Sequence, residues 1–317
     1  MSKKTNFGKI NGREAMVVGI IIVMVALFSI LSPTFRTYST FVSVLDMSYY
    51  IALMAIGVTF TLITGGVDLS IGTGLICYSL FGGYLIVHKD VPVVVALIAC
   101  LVLSILIGAL NGLLLAIMEE PQAWMNLLYC GVSLRNGGFG VSWPSSLEPE
   151  GWFRKIFRFT VNGKVIPIGI VVVVVLVLLM NFILKHTKIG RYTIAIGSNK
   201  EATKLAGVNV KFYHVFAYVI SGFFAGLAAI AYSATYVTIY PGSGAGFELD
   251  AIGGAIVGGV SASGGVGTIT GAFLGVLVIT LMKVGLPFIG LQANWQQIFT
   301  GLVLIGAVLI DVVKKKK

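Results

Sequence analysis

The chain has 317 residues, of which 57% are hydrophobic and 11% charged, and a formal net charge of +10. A soluble domain carries roughly 25% charged residues, so a single globular core cannot hide this much apolar surface and the composition points to an integral membrane protein. The positive balance does not indicate a nucleic-acid binder, because lysines and arginines flank apolar stretches as membrane topology requires, and no long soluble basic segment is present to hold RNA or DNA.

Taken in chain order, seven or more stretches have almost no charge and run about 17–25 residues, the length that crosses a bilayer. Residues 15–32 form the first, behind Lys3, Lys4, Lys9 and Arg13. The sequence "LFSILSPTFRTYS" offers no small-residue cleavage site, so a retained span is expected rather than a removed leader. Spans are expected next at 49–64, 71–88 and 91–118. Residues 123–143 give a weaker signal, broken by Arg135, Asn136 and paired glycines. Residues 144–164 form the largest segment expected outside, with Trp143, Trp152 and Phe153 as interface anchors; its Arg154, Lys155, Arg158 and Lys164 run against the positive-inside rule. A span at 165–183 leads into a basic segment, 185–211, followed by stretches at 215–234, 249–260, 269–284 and 295–310. The 249–260 stretch is too short for a full crossing and reads as a half-helix or a tilted one.

Charge then sets the sidedness. The tail 1–14, the loop 185–211 and the tail 312–317 are basic, so all three are expected on the cytoplasmic side of a bacterial inner membrane. Only five clear spans precede Lys185, so a sixth crossing is required, and 123–143 is the candidate for a short, kinked or re-entrant one. The expectation is one all-α membrane domain over 1–317, with about ten transmembrane helices, some of them broken. Cys77, Cys100 and Cys130 lie in apolar sequence, and their odd number argues against a disulfide framework.

Three motifs interrupt this pattern. In "TGGVDLSIG", Gly65 and Gly66 can end one helix while Asp68 and Ser70 cap the next. The motif reads as a tight hairpin with Asp68 as a cap, or as a discontinuous helix end with a buried acid beside a transport path, and the two are compatible. A different reading makes Asp68 the ion-coupled acid of a secondary transporter. The second motif, "GFELDAIGGAIVGGVSASGGVGTITGAFLG", sets Glu248 and Asp250 before an apolar run. Gly254, Gly258, Gly267, Gly271 and Gly275 follow at spacings that suit close helix packing. Its "SASGGVG" break holds Ser261, Ser263, Gly264 and Gly265 and reads as a re-entrant turn. "DLSIG" and "LDAIG" resemble each other and fall in opposite halves, which suggests two related halves.

The third motif is "IGSNKEATKLAGVNV". Ser198 and Glu201, with Asn199 and Lys200 between, form a capping box, and Gly207 is placed to stop the helix. Ala202, Leu205 and Ala206 lie along one face, with Lys200, Glu201 and Lys204 more polar. Such a helix can lie on a bilayer surface, but a face of small residues with one leucine suits a groove on a partner protein better. His88, His186 and His214 stand apart from one another with no metal-ligand spacing, and neither G-x-S-x-G nor GxxxxGK[ST] occurs, so no catalytic or nucleotide-binding site is expected on this chain.

Together, "ITGGVDLSIG", "IGSNKEATKLAGVNV" and "ELDAI…GG…GGVGTITGAFLG" closely resemble the permease subunits of bacterial ABC importers of the ribose, galactose and xylose type, from about Phe35 to the C-terminus. The resemblance implies a type II importer-like fold in which two permeases, identical or close paralogues, form the translocation path. A periplasmic or lipid-anchored binding protein delivers a monosaccharide, and an ATPase with two nucleotide-binding domains docks from the cytoplasm and holds ATP and magnesium, so no cofactor is implied here. Transport would proceed by alternating access, and the segment with Glu201, Ala202 and Gly207 corresponds to the family's EAA-type coupling helix. The sequence departs from the family at 121–138. Pro121, Leu127, Arg135 and Gly137 match the usual "PxFIxTLGxxxxxRG" pattern there, but Trp124, Met125 and Asn126 replace Phe-Ile-Ala/Thr. That segment is expected near the pathway, so the sequence does not name the sugar.

Overall fold

The computed structural model describes residues 12–118, 139–145 and 147–315. Helix α1 (Gly12–Leu31) turns through a 3-10 segment, Pro33–Arg36, into α2 (Tyr38–Ile63), and α3 (Ile71–Lys89) and α4 (Val93–Met118) follow. Then come β1 (Val141–Ser142), a 3-10 segment Pro149–Ile156, the hairpin β2 (Phe159–Val161) and β3 (Lys164–Ile166), and helices α5 (Gly169–His186), α6 (Lys188–Ser198), α7 (Lys200–Leu205) and α8 (Val210–Thr235). The chain ends with β4 (Thr238–Ile239), α9 (Phe247–Val257), α10 (Ile269–Phe288) and α11 (Ala293–Lys315). Among the described residues seven helices, α1–α5, α8 and α10, are long and apolar enough to cross a membrane. The protein is thus an all-α membrane protein.

Helix α2 is the axis of the bundle, with every residue from Tyr49 to Ile63 buried. Helix α8 packs beside it and approaches α4 closely, because Gly108 and Gly112 bring α4 against the backbone of Tyr218 and Val215. The outer helices leave Ile22, Val23, Leu106 and Leu178 exposed, an arrangement stable only against lipid. Helix α2 starts at Tyr38, well before the expected 49, because the polar residues that hid its first turns find partners. Thr37 caps it through the Thr40 amide, Ser43 and Ser48 bond back to the carbonyls of Ser39 and Leu45, and Asp46 pairs with Arg158 at 3.2 Å.

The two ends of the bundle differ. One carries β1–β4 and the loops around them. The other carries α6 and α7, the start of α1 (Arg13 reaches the Gly259 carbonyl) and the turn between α9 and α10. Met118 ends α4 at the basic end, and Phe139 lies beside β1 at the strand end. Residues 119–138, which hold Cys130, the family departure and most of the expected 123–143 crossing, lie outside the described residues.

At the strand end β1 pairs antiparallel with β4, Val141 opposite Ile239, and β2 with β3 across Asn162–Gly163. Both turn residues have positive φ, which an Asn-Gly turn supplies. Two expectations change here. Trp143 and Phe153 do not anchor in the bilayer interface; both are buried, with rings 5.4 Å apart, and the Trp143 indole donates to the Ser79 carbonyl. Of the three aromatics only Trp152 is exposed, at 44%. Two of the four positive charges that run against the sidedness rule also find structural work. Arg154 is buried and donates to the carbonyls of Pro144, Trp143 and Ala234, and Arg158 donates to the Thr235 carbonyl and pairs with Asp46. Burial, followed by the nearby Arg158, lowers the Arg154 guanidinium to about 10, so it remains charged at neutral pH. Arg154→Met removes its three bonds to carbonyls and should cost about 3 kcal/mol. The measurement is the rate of tryptic cleavage after Lys155, expected to rise at least tenfold in the variant.

Candidate functional site

The first break sits at the end of α2. Gly65 takes φ +86° and its amide and that of Gly66 return to the carbonyls of Leu62 and Thr61, closing the helix as the sequence suggested. The chain then runs without regular structure to Ser70, where α3 begins. Asp68 is buried and fully engaged: Oδ1 accepts from the Ser70 amide at 3.0 Å and the Ser70 hydroxyl at 2.6 Å, and Oδ2 accepts from the Ser221 hydroxyl at 2.6 Å. Asn111 on α4 donates to the Ser70 hydroxyl at 2.9 Å. Asp68 therefore organises the start of α3, whereas Ser70, expected as a second cap, makes no side-chain cap bond itself. The network ties the break to α4 and α8. Ser221 lies eleven residues into α8, about 16 Å along the axis, so α3 begins well inside the bundle rather than at its end.

The second break comes from the other half of the chain. Helix α9 has only eleven residues and starts inside the bundle. Gly246 takes φ +89°, and Glu248 Oε1 accepts the Gly246 amide at 3.2 Å. Asp250 is 1% exposed and accepts from Lys283 Nζ of α10. The two breaks meet: a Cβ added to Gly72, on the first turn of α3, would overlap the Glu248 carboxylate. Two helix N-termini that begin inside the bundle thus face one another. Glycines then zip α9 to α10, Gly254 against Gly275 and Gly258 against Gly271. The "SASGGVG" segment forms the tight turn between them. The Ser261 amide donates to the Val266 carbonyl, the Ser261 and Ser263 hydroxyls lie 3.2 Å apart, and Gly264 and Gly265 both have positive φ.

The third motif forms two helices where one was expected. Residues 188–198 are helical as α6, capped by Thr187, so Ser198 ends that helix and bonds back to the Ile194 carbonyl. The capping role passes to Asn199, whose Oδ1 accepts the Ala202 amide at 2.9 Å. The Ser198–Glu201 box is thereby corrected by one residue: a Ser already inside a helix has helical φ and ψ and cannot cap the next one. Gly207 stops α7 as expected, with φ +80° and its amide on the Lys204 carbonyl. Thr203 faces the bundle, while Lys200, Glu201, Ala202 and Leu205 are exposed, Leu205 at 88%. A cavity of about 680 Å³ separates this helix from the first break, lined by Gly65, Gly66, Leu115, Lys200, Lys204 and His214.

Asn111, Ser221 and Lys283 were not singled out from the sequence. A lone lysine inside an apolar span and an acid inside another is a readable signal, since a charge in hydrocarbon requires a partner. The serine and asparagine carry no such signal, because single polar residues are common on packed helix faces.

The family described as the branched-chain amino acid transport system permease component matches residues 40–308. The chain is 34% identical to the ribose import permease protein of Escherichia coli K12 over 304 residues, covering 92% of this chain and 91% of the relative. It is 30% identical to the galactose/methyl galactoside import permease protein of Haemophilus influenzae, covering 94% of each, and 32% identical to the autoinducer 2 import system permease protein of Salmonella typhi, covering 95% and 86%. No solved structure matches the chain.

Proposed function

The chain belongs to the branched-chain amino acid transport system permease family, and from that premise we propose that it is the membrane permease of an ABC importer for a monosaccharide or a compound of similar size and polarity. It resides in a bacterial inner membrane with both termini and residues 185–211 on the cytoplasmic side. Two permeases, identical or closely related, enclose the path. A binding protein delivers the ligand at the strand end, and an ATPase with two nucleotide-binding domains supplies ATP chemistry at the basic end.

One observation carries the coupling assignment. Helix α7 is capped at both ends and held to the bundle through Thr203, yet presents Ala202 and Leu205 away from it. A rigid helix with an unpartnered small-residue face suits a groove on a second protein. The relatives import ribose, galactose and autoinducer 2, which supports a neutral, hydroxyl-rich cargo. Such a cargo needs hydrogen bonds rather than charge. The engagement of Asp68 by two serines supports a structural role for that acid, with the two facing helix breaks beside the path.

The test uses the complex with the ATPase and binding protein encoded with it. Leu205→Asp removes the apolar contact and places a charge in it, and Glu201→Arg reverses the charge at the start of α7. Burying a leucine is worth about 1.5–3 kcal/mol, so ATPase affinity should fall at least tenfold in Leu205→Asp, and ATP-driven uptake should be lost in both. Unchanged affinity and uptake in both variants would show that α7 is not the docking helix.

A further inference from the structure

We infer that Gly197 is the positioning residue through which α7 drives both helix breaks at once; the inference rests on α7 being the ATPase-docking helix. Gly197 lies in the last turn of α6, two residues before the Asn199 cap of α7. A Cβ there would overlap the Ile63 carbonyl oxygen and the Gly265 amide nitrogen. Ile63 is the last residue of α2, and its carbonyl accepts the Gly265 amide at 2.8 Å, so an otherwise orphaned helix-end acceptor is satisfied from the α9–α10 turn. A Cβ on Gly264 would lie 3.0 Å from both the Gly65 amide and the Ile63 carbonyl, and 3.2 Å from the Gly197 Cα. One on Gly265 would lie 2.8 Å from the Ser198 hydroxyl. Three chain segments thus touch main chain to main chain, with no side chain between them.

That contact has a mechanical consequence. Side chains can change rotamer and absorb a displacement, whereas closely packed backbone yields very little. A push on α7 reaches Asn199 and Gly197 within one turn. From there it acts on Ile63, five residues before Asp68, and on Gly265, in the turn that joins α9 to α10. Both breaks are reached through the same junction, so α3 and α9 receive the stroke together. Tight packing alone would give a stable junction, but would not predict that the stroke depends on it.

The experiment measures cargo moved per ATP hydrolysed in proteoliposomes of the full complex, with ribose, galactose and autoinducer 2 tried in turn. Whichever of the three stimulates the ATPase is kept for the variants. Gly197→Ala wedges the junction open, and in complexes that assemble normally by size-exclusion chromatography the ratio should fall at least tenfold. A ratio unchanged in assembled Gly197→Ala would overturn the inference. Should that variant fail to assemble, the pair Ser198→Cys and Gly265→Cys tests the same junction from the opposite direction. The oxidised, cross-linked complex should transport within twofold of the reduced one, since the segments move as one body. Loss of transport on oxidation, restored by reduction, would show that they separate during the cycle and would overturn it. Leu205→Asp separates the two claims: normal ATPase affinity there removes the docking assignment and the junction with it, whereas weakened affinity with an unchanged Gly197→Ala ratio removes the junction alone.

Discussion

Asp68→Leu is expected to leave little folded permease and no uptake, while Asp68→Asn keeps most of both. The carboxylate accepts from one amide and two hydroxyls, all inside the bundle. Leucine strands those donors at membrane depth. Each buried donor left unsatisfied costs about 1–3 kcal/mol, so the three together cost about 3–9 kcal/mol. Asparagine retains Oδ1 for both Ser70 bonds, and the Ser221 hydroxyl can rotate to accept from the new amide, which should hold the loss to about 1 kcal/mol. The check is the unfolding temperature of the purified permease in detergent, followed by uptake in the assembled complex. A well-folded Asp68→Asn permease without transport would mean that the charge itself is used, and would favour the ion-coupled reading of that acid.

The second large effect lies at the Asp250–Lys283 pair, which ties the first turn of α9 to α10. Lys283→Met leaves a carboxylate buried without its counter-charge, and breaking a buried pair in this way costs about 3–5 kcal/mol. Combining it with Asp250→Asn removes the stranded charge, so the double variant should be more stable than Lys283→Met alone by about 2 kcal/mol or more. Additive losses in the double-mutant cycle would show that the two residues stand near each other without supporting each other. Because α9 starts at the meeting point of the two breaks, the same cycle measured on transport reports whether the pair sets the position of α9 or only its stability.

Much of this architecture is legible in the sequence because the bilayer enforces simple rules. Length and lack of charge marked the spans, and "GGVDLS" and "SASGGVG" marked the places where regular backbone stops. Paired glycines beside a polar residue in apolar sequence have few other uses. Helix starts were harder. Hydropathy placed the beginning of α2 too late because Ser39, Ser43, Asp46 and Ser48 look like loop residues until Arg158 and the neighbouring carbonyls supply their partners. The α6–α7 boundary was missed for a related reason: Ser198 and Asn199 are both good caps, and only the preceding helix decides between them. The β2–β3 hairpin is legible in "FTVNGKVI", where Asn-Gly separates two β-rich triplets. Meeting points such as Gly72 on Glu248, or Gly197 on Ile63, are tertiary facts. A glycine announces that something comes close without saying what.

The central claim is that this chain moves its cargo only as part of an ATP-driven complex. The direct measurement is uptake of radiolabelled ribose, galactose and autoinducer 2 into proteoliposomes, with the permease alone and with its ATPase and binding protein, with and without internal ATP and a protonophore. Uptake of at least one of the three that needs every component and ATP, and that persists with the protonophore present, is the predicted result. Uptake by the permease alone that the protonophore abolishes would contradict the account.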